Sequence, residues 1–190
     1  MSKGSRLRAG FSVLAVATAS LALAATAGAA SGGGVVIQAQ DACDPATFPP
    51  GFCTRTDNSG PRVTFDEINA EMARKGGHGA WRMTPDRVKV KRGESVVAVM
   101  GRGGELHTFT DVTETGFTPG CVPEINQVLF GKPDLGPACS EADPVSGLPK
   151  FPFGTGLLPG VSIVADTTAR GTRLYECLVH PWMTATVTVG

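Results

Sequence analysis

The stretch that decides how this chain is read is Leu174-Tyr-Glu-Cys-Leu-Val-His-Pro-Trp-Met-Thr-Ala-Thr-Val-Thr-Val189. It holds Cys177, His180 and Met183, each three residues from the next. An apolar strand leads in, and residues 184–189 alternate as a strand leading out. A tight loop between two strands can aim three side chains at one point. Thiolate, imidazole and thioether are a soft donor set that suits copper. One more imidazole would complete a trigonal site of two His and one Cys with a weak axial Met. His107 is the best candidate for it. His78 lies in Lys75-Gly-Gly-His-Gly79 and reads as a solvated loop residue.

The cysteine count supports a special role for Cys177. There are five, Cys43, Cys53, Cys121, Cys139 and Cys177, so one is left over after pairing. Two local pairs suggest themselves, Cys43 with Cys53 and Cys121 with Cys139, each closing a loop rich in proline and glycine. Cys177 is then the free thiol, and metal ligation is a reason to keep one. A buried inert thiol, or a different pairing, is the competing reading.

Disulfides imply an oxidising compartment, and the N-terminus agrees. Residues 1–10 carry Lys3, Arg6 and Arg8 with no acid, residues 11–27 are an alanine-rich apolar run, and Ala27-Gly-Ala-Ala30 supplies small residues for cleavage. This is the plan of a secretory signal peptide over residues 1–30. Export to a periplasm or the extracellular space is expected, with no stable membrane insertion after cleavage. The competing reading is an uncleaved anchor. The whole chain has no net charge, so losing Lys3, Arg6 and Arg8 leaves it near −3. That balance, with no long basic run, argues against nucleic acid.

Residues 31–63 read as a flexible, disulfide-stapled extension: glycine-rich at first, then carrying Pro45, Pro49 and Pro50. Residues 64–74 read as a helix. Phe65, Ile68 and Met72 share a face, Thr64 and Glu67 form a capping-box pattern, and Gly76-Gly77 stops it. From residue 80 the pattern is β, with strands expected at 81–84, 87–91, 95–100, 106–112, 161–166, 172–177 and 184–189. In Arg87-Val-Lys-Val-Lys-Arg92 the charges alternate with valine, as on the solvated face of a strand. Short strands with glycine and proline turns argue for a β-sandwich. Residues 113–160 form a long, proline-rich insertion holding Cys121 and Cys139. A loop of that length inside a domain is often functional.

The segment Tyr175-Glu-Cys-Leu-Val-His-Pro-Trp-Met183 resembles the C-terminal copper loop of the cupredoxins, the type 1 (blue) copper proteins. Its Cys-x2-His-x2-Met spacing, with proline after the histidine, is similar to the short amicyanin and plastocyanin loops. Gly104-Glu-Leu-His-Thr-Phe-Thr110 resembles the strand end that carries the first histidine of that family, and Pro85-Asp-x-Val-x-Val resembles its opening strands. The resemblance spans roughly residues 81–190 apart from the insertion. It implies an all-β, cupredoxin-like Greek-key sandwich over residues 64–190, preceded by the short helix and interrupted by the stapled insertion. It implies one type 1 copper ion on His107, Cys177, His180 and axial Met183. It also implies a solvent-reachable His180 edge, with Pro181 and Trp182 in an apolar patch where a redox protein docks transiently to a monomer. The function implied is single-electron transfer and not enzymatic catalysis. A copper chaperone or store, and a structural sandwich with a vestigial site, are the alternatives. Three histidines cannot furnish a His-rich trinuclear centre, and no HExxH helix or phosphate loop is present.

Overall fold

The computed structural model describes residues 34–49, 53, 62–139, 152 and 154–190, all within one compact unit, Gly32–Gly190. The expected signal peptide lies outside the described residues. Two four-stranded sheets form a β-sandwich. In the first, β1 (Val35–Gln40) lies between β2 (Arg82–Thr84) and β4 (Val96–Met100), and β8 (Ser162–Val164) pairs with the far side of β4. In the second, the order is β3 (Arg87–Val90), β10 (Thr184–Val189), β9 (Gly171–Glu176) and β6 (Thr110–Asp111). A separate two-stranded ladder joins β5 (His107–Thr108) to β7 (Gly156–Leu157).

Period-2 patterning explains the core. In β10, Ala185, Val187 and Val189 are buried, while Thr184, Thr186 and Thr188 are not. In β3, Val88 and Val90 point inward and Arg87 and Lys89 stay exposed, as the alternating charge predicts. Ile37 and Ala39 of β1, Met83 of β2, and Val96 and Ala98 of β4 belong to the same core cluster. Full burial of a valine, isoleucine or methionine side chain is worth about 1.5–3 kcal/mol relative to exposure.

Helix α1 (Phe65–Lys75) forms where its signals place it. Glu67 N–H donates to the Thr64 hydroxyl at 3.3 Å, and Thr64 N–H donates to the Glu67 carboxylate at 2.8 Å. Gly76 ends the helix at φ 73°, a conformation that costs glycine little. Ile68 and Met72 are its buried residues.

Three expectations need correction. Residues 31–63 are not all an extension: β1 is an inner strand, antiparallel to β2 and parallel to β4, so the domain does not begin at residue 64. The flanking glycines and the polar residues of Val35-Val-Ile-Gln-Ala-Gln40 hide it as a short strand. Next, the strand expected at 106–112 is broken at Phe109 into β5 and β6. Its first part pairs with β7 and its second with β9. Finally, residues 113–160 are not merely a loop. They contain helix α2 (Pro123–Phe130), with proline in its first turn and Gly131 as its C-cap. Asn126 of α2 is buried. Its side chain donates to Gly120 and Asp134 carbonyls at 2.8 Å each and accepts from Gly120 N–H at 3.0 Å. Both cysteine pairs expected from the sequence are disulfides, Cys43–Cys53 and Cys121–Cys139, and Cys177 is free and buried.

Candidate metal centre

Pairing of β9 with β10 places Glu176 opposite Thr184, so residues 177–183 form the loop between them. Backbone bonds shape it: Cys177 N–H donates to Met183 O at 2.9 Å, and Met183 N–H to His180 O at 2.8 Å. Pairing of β6 with β9 sets Thr110 opposite Glu176, which brings the chain carrying His107 alongside Cys177. Thr108 then joins the two segments. Its N–H donates to Cys177 Sγ at 3.3 Å, and its hydroxyl accepts from Leu178 N–H at 2.8 Å.

The side chains of His107, Cys177 and His180 converge, all buried, with their donor atoms within 4.8 Å of one another. Cys177 Sγ is 3.8 Å from Nδ1 of His107 and 3.8 Å from Nδ1 of His180. Metal–nitrogen and metal–sulfur bonds of about 2.0 and 2.3 Å meeting at about 120° span about 3.7 Å. The donors are therefore spaced for a trigonal N2S metal site, the ligand set associated with blue copper.

Each histidine turns its other nitrogen onto a buried carboxylate. His107 Nε2 is 2.9 Å from Asp41 Oδ2, and His180 Nε2 is 3.0 Å from Glu105 Oε2. Burial pushes the Asp41 carboxyl up, but His107 and the N–H groups of Gly104 and Glu105 outweigh it and hold it below its usual value. Burial likewise pushes both imidazoles down, and their anionic neighbours raise them further. Asp41 and Cys177 do so for His107, and Glu105 and Cys177 carry His180 up to about 10. Burial pushes the Cys177 thiol up, but the two rings hold it well below its ordinary value. The thiol and the two rings therefore each favour the other's charged form. Metal binding needs the sulfur and both Nδ1 atoms free of protons.

Sequence reasoning missed Asp41 and gave no role to Glu105. Asp41 sits 66 residues from its partner, in a stretch that read as a stapled loop, and nothing local marks it. Glu105 was visible in the His107 motif, but its carboxylate meets His180, 75 positions on, only in the folded chain.

The remaining expected residues fall as follows. Met183 is buried and closes the ligand loop through its backbone. Pro181 is buried and Trp182 half-buried, with the Trp182 ring 5.3 Å from that of His180. The solvent-reachable edge of His180 is not found: the residue is 3 % exposed, because Glu105 occupies Nε2 and Trp182 and Trp81 lie against the ring. His78 stands outside the triad and is not a solvated loop residue. It meets Glu71 at 3.1 Å and packs edge-on to Trp81.

No family model and no curated protein matches the chain. Solved structures do. A purple cupredoxin from Nitrosopumilus maritimus is 16 % identical, over 60 % of this chain and 86 % of that one, at a TM-score of 0.36. Plastocyanin from Dryopteris crassirhizoma is 18 % identical, over 82 % and 100 %, at 0.38. Amicyanin from Paracoccus versutus is 17 % identical, over 57 % and 73 %, at 0.33. No residue role is carried over from proteins this distant. The sandwich and the ligand loop between its last two strands are this chain's own, and by them its fold is cupredoxin-like.

Proposed function

We propose that this chain binds one copper ion as a type 1 site, on His107, Cys177 and His180 with Met183 as axial ligand, and carries single electrons between redox proteins. The observation that supports this most is the buried donor triangle, with both imidazole Nδ1 atoms 3.8 Å from one thiolate sulfur. When bound, copper would supply a one-electron couple. The chain's part is to hold the donors still. Thr108 ties the His107 strand to the cysteine loop through two hydrogen bonds. The backbone bonds of Cys177 and Met183 close that loop. A fixed donor set changes little between oxidation states, which keeps reorganisation small. The N–H of Thr108 directed at the sulfur draws charge from it and would tune the potential.

Burial of all three donors favours a carrier over a store or chaperone, which must hand its ion to another ligand set. With His180 covered, electrons would pass through Trp182 to the surface. Trp182 and Pro181 line a groove with Phe117, Leu129 and Phe130, and Phe117 and Phe130 are about half exposed. That apolar face would suit the small interface of a transient redox partner. Export is supported by the two disulfides. Among the described residues, no helix is long and apolar enough to cross a membrane.

The test is titration of the mature protein with Cu(II), followed by visible absorption, beside Cys177→Ser. An intense thiolate charge-transfer band saturating at one copper, and lost in the variant, is expected. Copper binding without that band would sink the carrier reading.

A further inference from the structure

Copper would engage the Nδ1 side of each histidine, and the opposite side has partners of its own. Both Nε2 atoms end on carboxylates that are nearly sealed from solvent, with Asp41 1 % and Glu105 6 % exposed. Buried carboxylates are costly unless their oxygens are satisfied, and here they are satisfied in a particular way. Asp41 Oδ1 accepts from Cys43 N–H at 3.2 Å and Gly104 N–H at 3.0 Å. Asp41 Oδ2 accepts from Glu105 N–H at 3.1 Å and faces His107 Nε2 at 2.9 Å. The chain wraps closely around this group. A Cβ on Gly103 would lie 2.2 Å from Asp41 Cγ, so only glycine fits there. Glu105 Oε2 accepts from Trp81 Nε1, a group that can only donate, and faces His180 Nε2 at 3.0 Å.

These contacts set the state of each ring. Each Nε2 faces a carboxylate oxygen that already accepts from an N–H group, so it donates its hydrogen there, and each Nδ1 is left to present its lone pair on the Cys177 side. We infer that Asp41 and Glu105 are a matched pair of positioning residues. They lock both histidines in the Nε2–H tautomer and place two buried negative charges behind the metal, favouring Cu(II) over Cu(I) and lowering the site's reduction potential. This rests on the copper reading of the same site. The two carboxylates are also coupled, because Glu105 donates its own N–H to Asp41. One short segment, residues 103–105, thereby holds both.

The experiment is voltammetry of the copper-loaded mature protein and of Glu105→Gln and Asp41→Asn. It is paired with 15N NMR of the imidazoles in the zinc-loaded, diamagnetic form. Glu105→Gln is the milder change, since the amide oxygen can still accept from Trp81 and His180. It should weaken Cu(II) binding relative to Cu(I) about tenfold, within the usual range for partners of ligand histidines. That ratio corresponds to a rise in potential of about 59 mV for one electron. Asp41→Asn should shift the potential in the same direction. In the zinc form both wild-type rings should show slowly exchanging Nε2–H signals, and the His180 signal should exchange faster in Glu105→Gln.

A purely structural role would lower the melting temperature of Glu105→Gln and leave its potential where it was. An unchanged potential in a variant that keeps the blue band overturns the inference, as does an Nδ1–H tautomer in the zinc form. If Asp41→Asn does not fold, Glu105→Gln decides alone. Absence of the blue band in the wild-type protein is the separate outcome that removes the copper reading and this inference together.

Discussion

Glu176 lies one residue before the candidate ligand thiol and is fully buried. Its Oε2 accepts from Thr118 N–H at 3.2 Å, and its Oε1 has no hydrogen-bond partner among the described residues. Burial dominates and raises this carboxyl from 4.5 to about 8; the Thr118 N–H pulls it down, and Cys177 adds to the rise. A group whose pKa is raised on folding contributes stability that is complete below the unfolded value and is lost as pH rises through the folded one. In the metal-free protein this group should therefore contribute a downward slope of stability from about pH 4.5 to about pH 8. Glu176→Gln, which imitates the protonated group, should flatten that slope, with melting temperatures close to wild type at pH 5 and higher at pH 8. Melting curves across the pH series decide it; parallel slopes would show that the carboxyl is not protonated in the fold. The Thr108 hydroxyl is a second buried group beside the thiol. Thr108→Ala leaves the buried N–H of Leu178 without its acceptor, at a cost of about 1–3 kcal/mol in urea unfolding, and Thr108→Ser should recover most of it.

Two helices outside the sheets bear on the site. Helix α1 carries Phe65, whose ring meets Phe48 at 5.3 Å, and Phe48 stacks on Trp81 at 6.2 Å. Trp81 in turn anchors Glu105. Removing the cap with Thr64→Ala should cost about 1 kcal/mol in denaturant unfolding. The absorption of the copper form should stay unchanged, because Trp81 is also held by the sandwich core. Helix α2 is bracketed by the Cys121–Cys139 disulfide, whose cysteines are 18 residues apart. Cross-linking a loop of that size stabilises by about 3 kcal/mol. The double variant Cys121→Ser/Cys139→Ser should show that loss as a lower denaturation midpoint. Cys121 N–H also donates to Leu178 O at 2.6 Å, so the ligand loop should loosen with it, read as a broadened or shifted blue band.

At the scale of the molecule, the first strand is both a structural and a functional part. β1 bonds to β2 on one edge and to β4 on the other, and its end delivers Asp41 beneath His107. A chain beginning at Asp44, with Cys53→Ser to remove the orphaned thiol, keeps every residue of the cysteine loop and His107. It should nevertheless fail to unfold cooperatively and give no blue band. Cooperative unfolding in that chain would restore the domain boundary at residue 64.

Much of this protein could be read before folding was considered. The alternation of β3 and β10, the cap and stop of α1, the five-cysteine arithmetic and the Cys177–His180–Met183 spacing are local signals. All but the cysteine count are written within a dozen or so residues, because strand and helix periods repeat over that distance. What the linear chain could not show depends on residues far apart in it. β1 lacks a long pattern and is a strand only because β2 and β4 flank it. α2 is short and lies inside a proline-rich stretch, and its polar Asn126 is buried because Gly120 and Asp134 supply partners. The carboxylates of Asp41 and Glu105, and the cover over His180, exist only where the sandwich brings separate segments together. Local periodicity determined most of the elements, and motif spacing the donor types; tertiary packing decided β1, α2 and what stands behind each donor, since burial and hydrogen-bond satisfaction are properties of the whole fold.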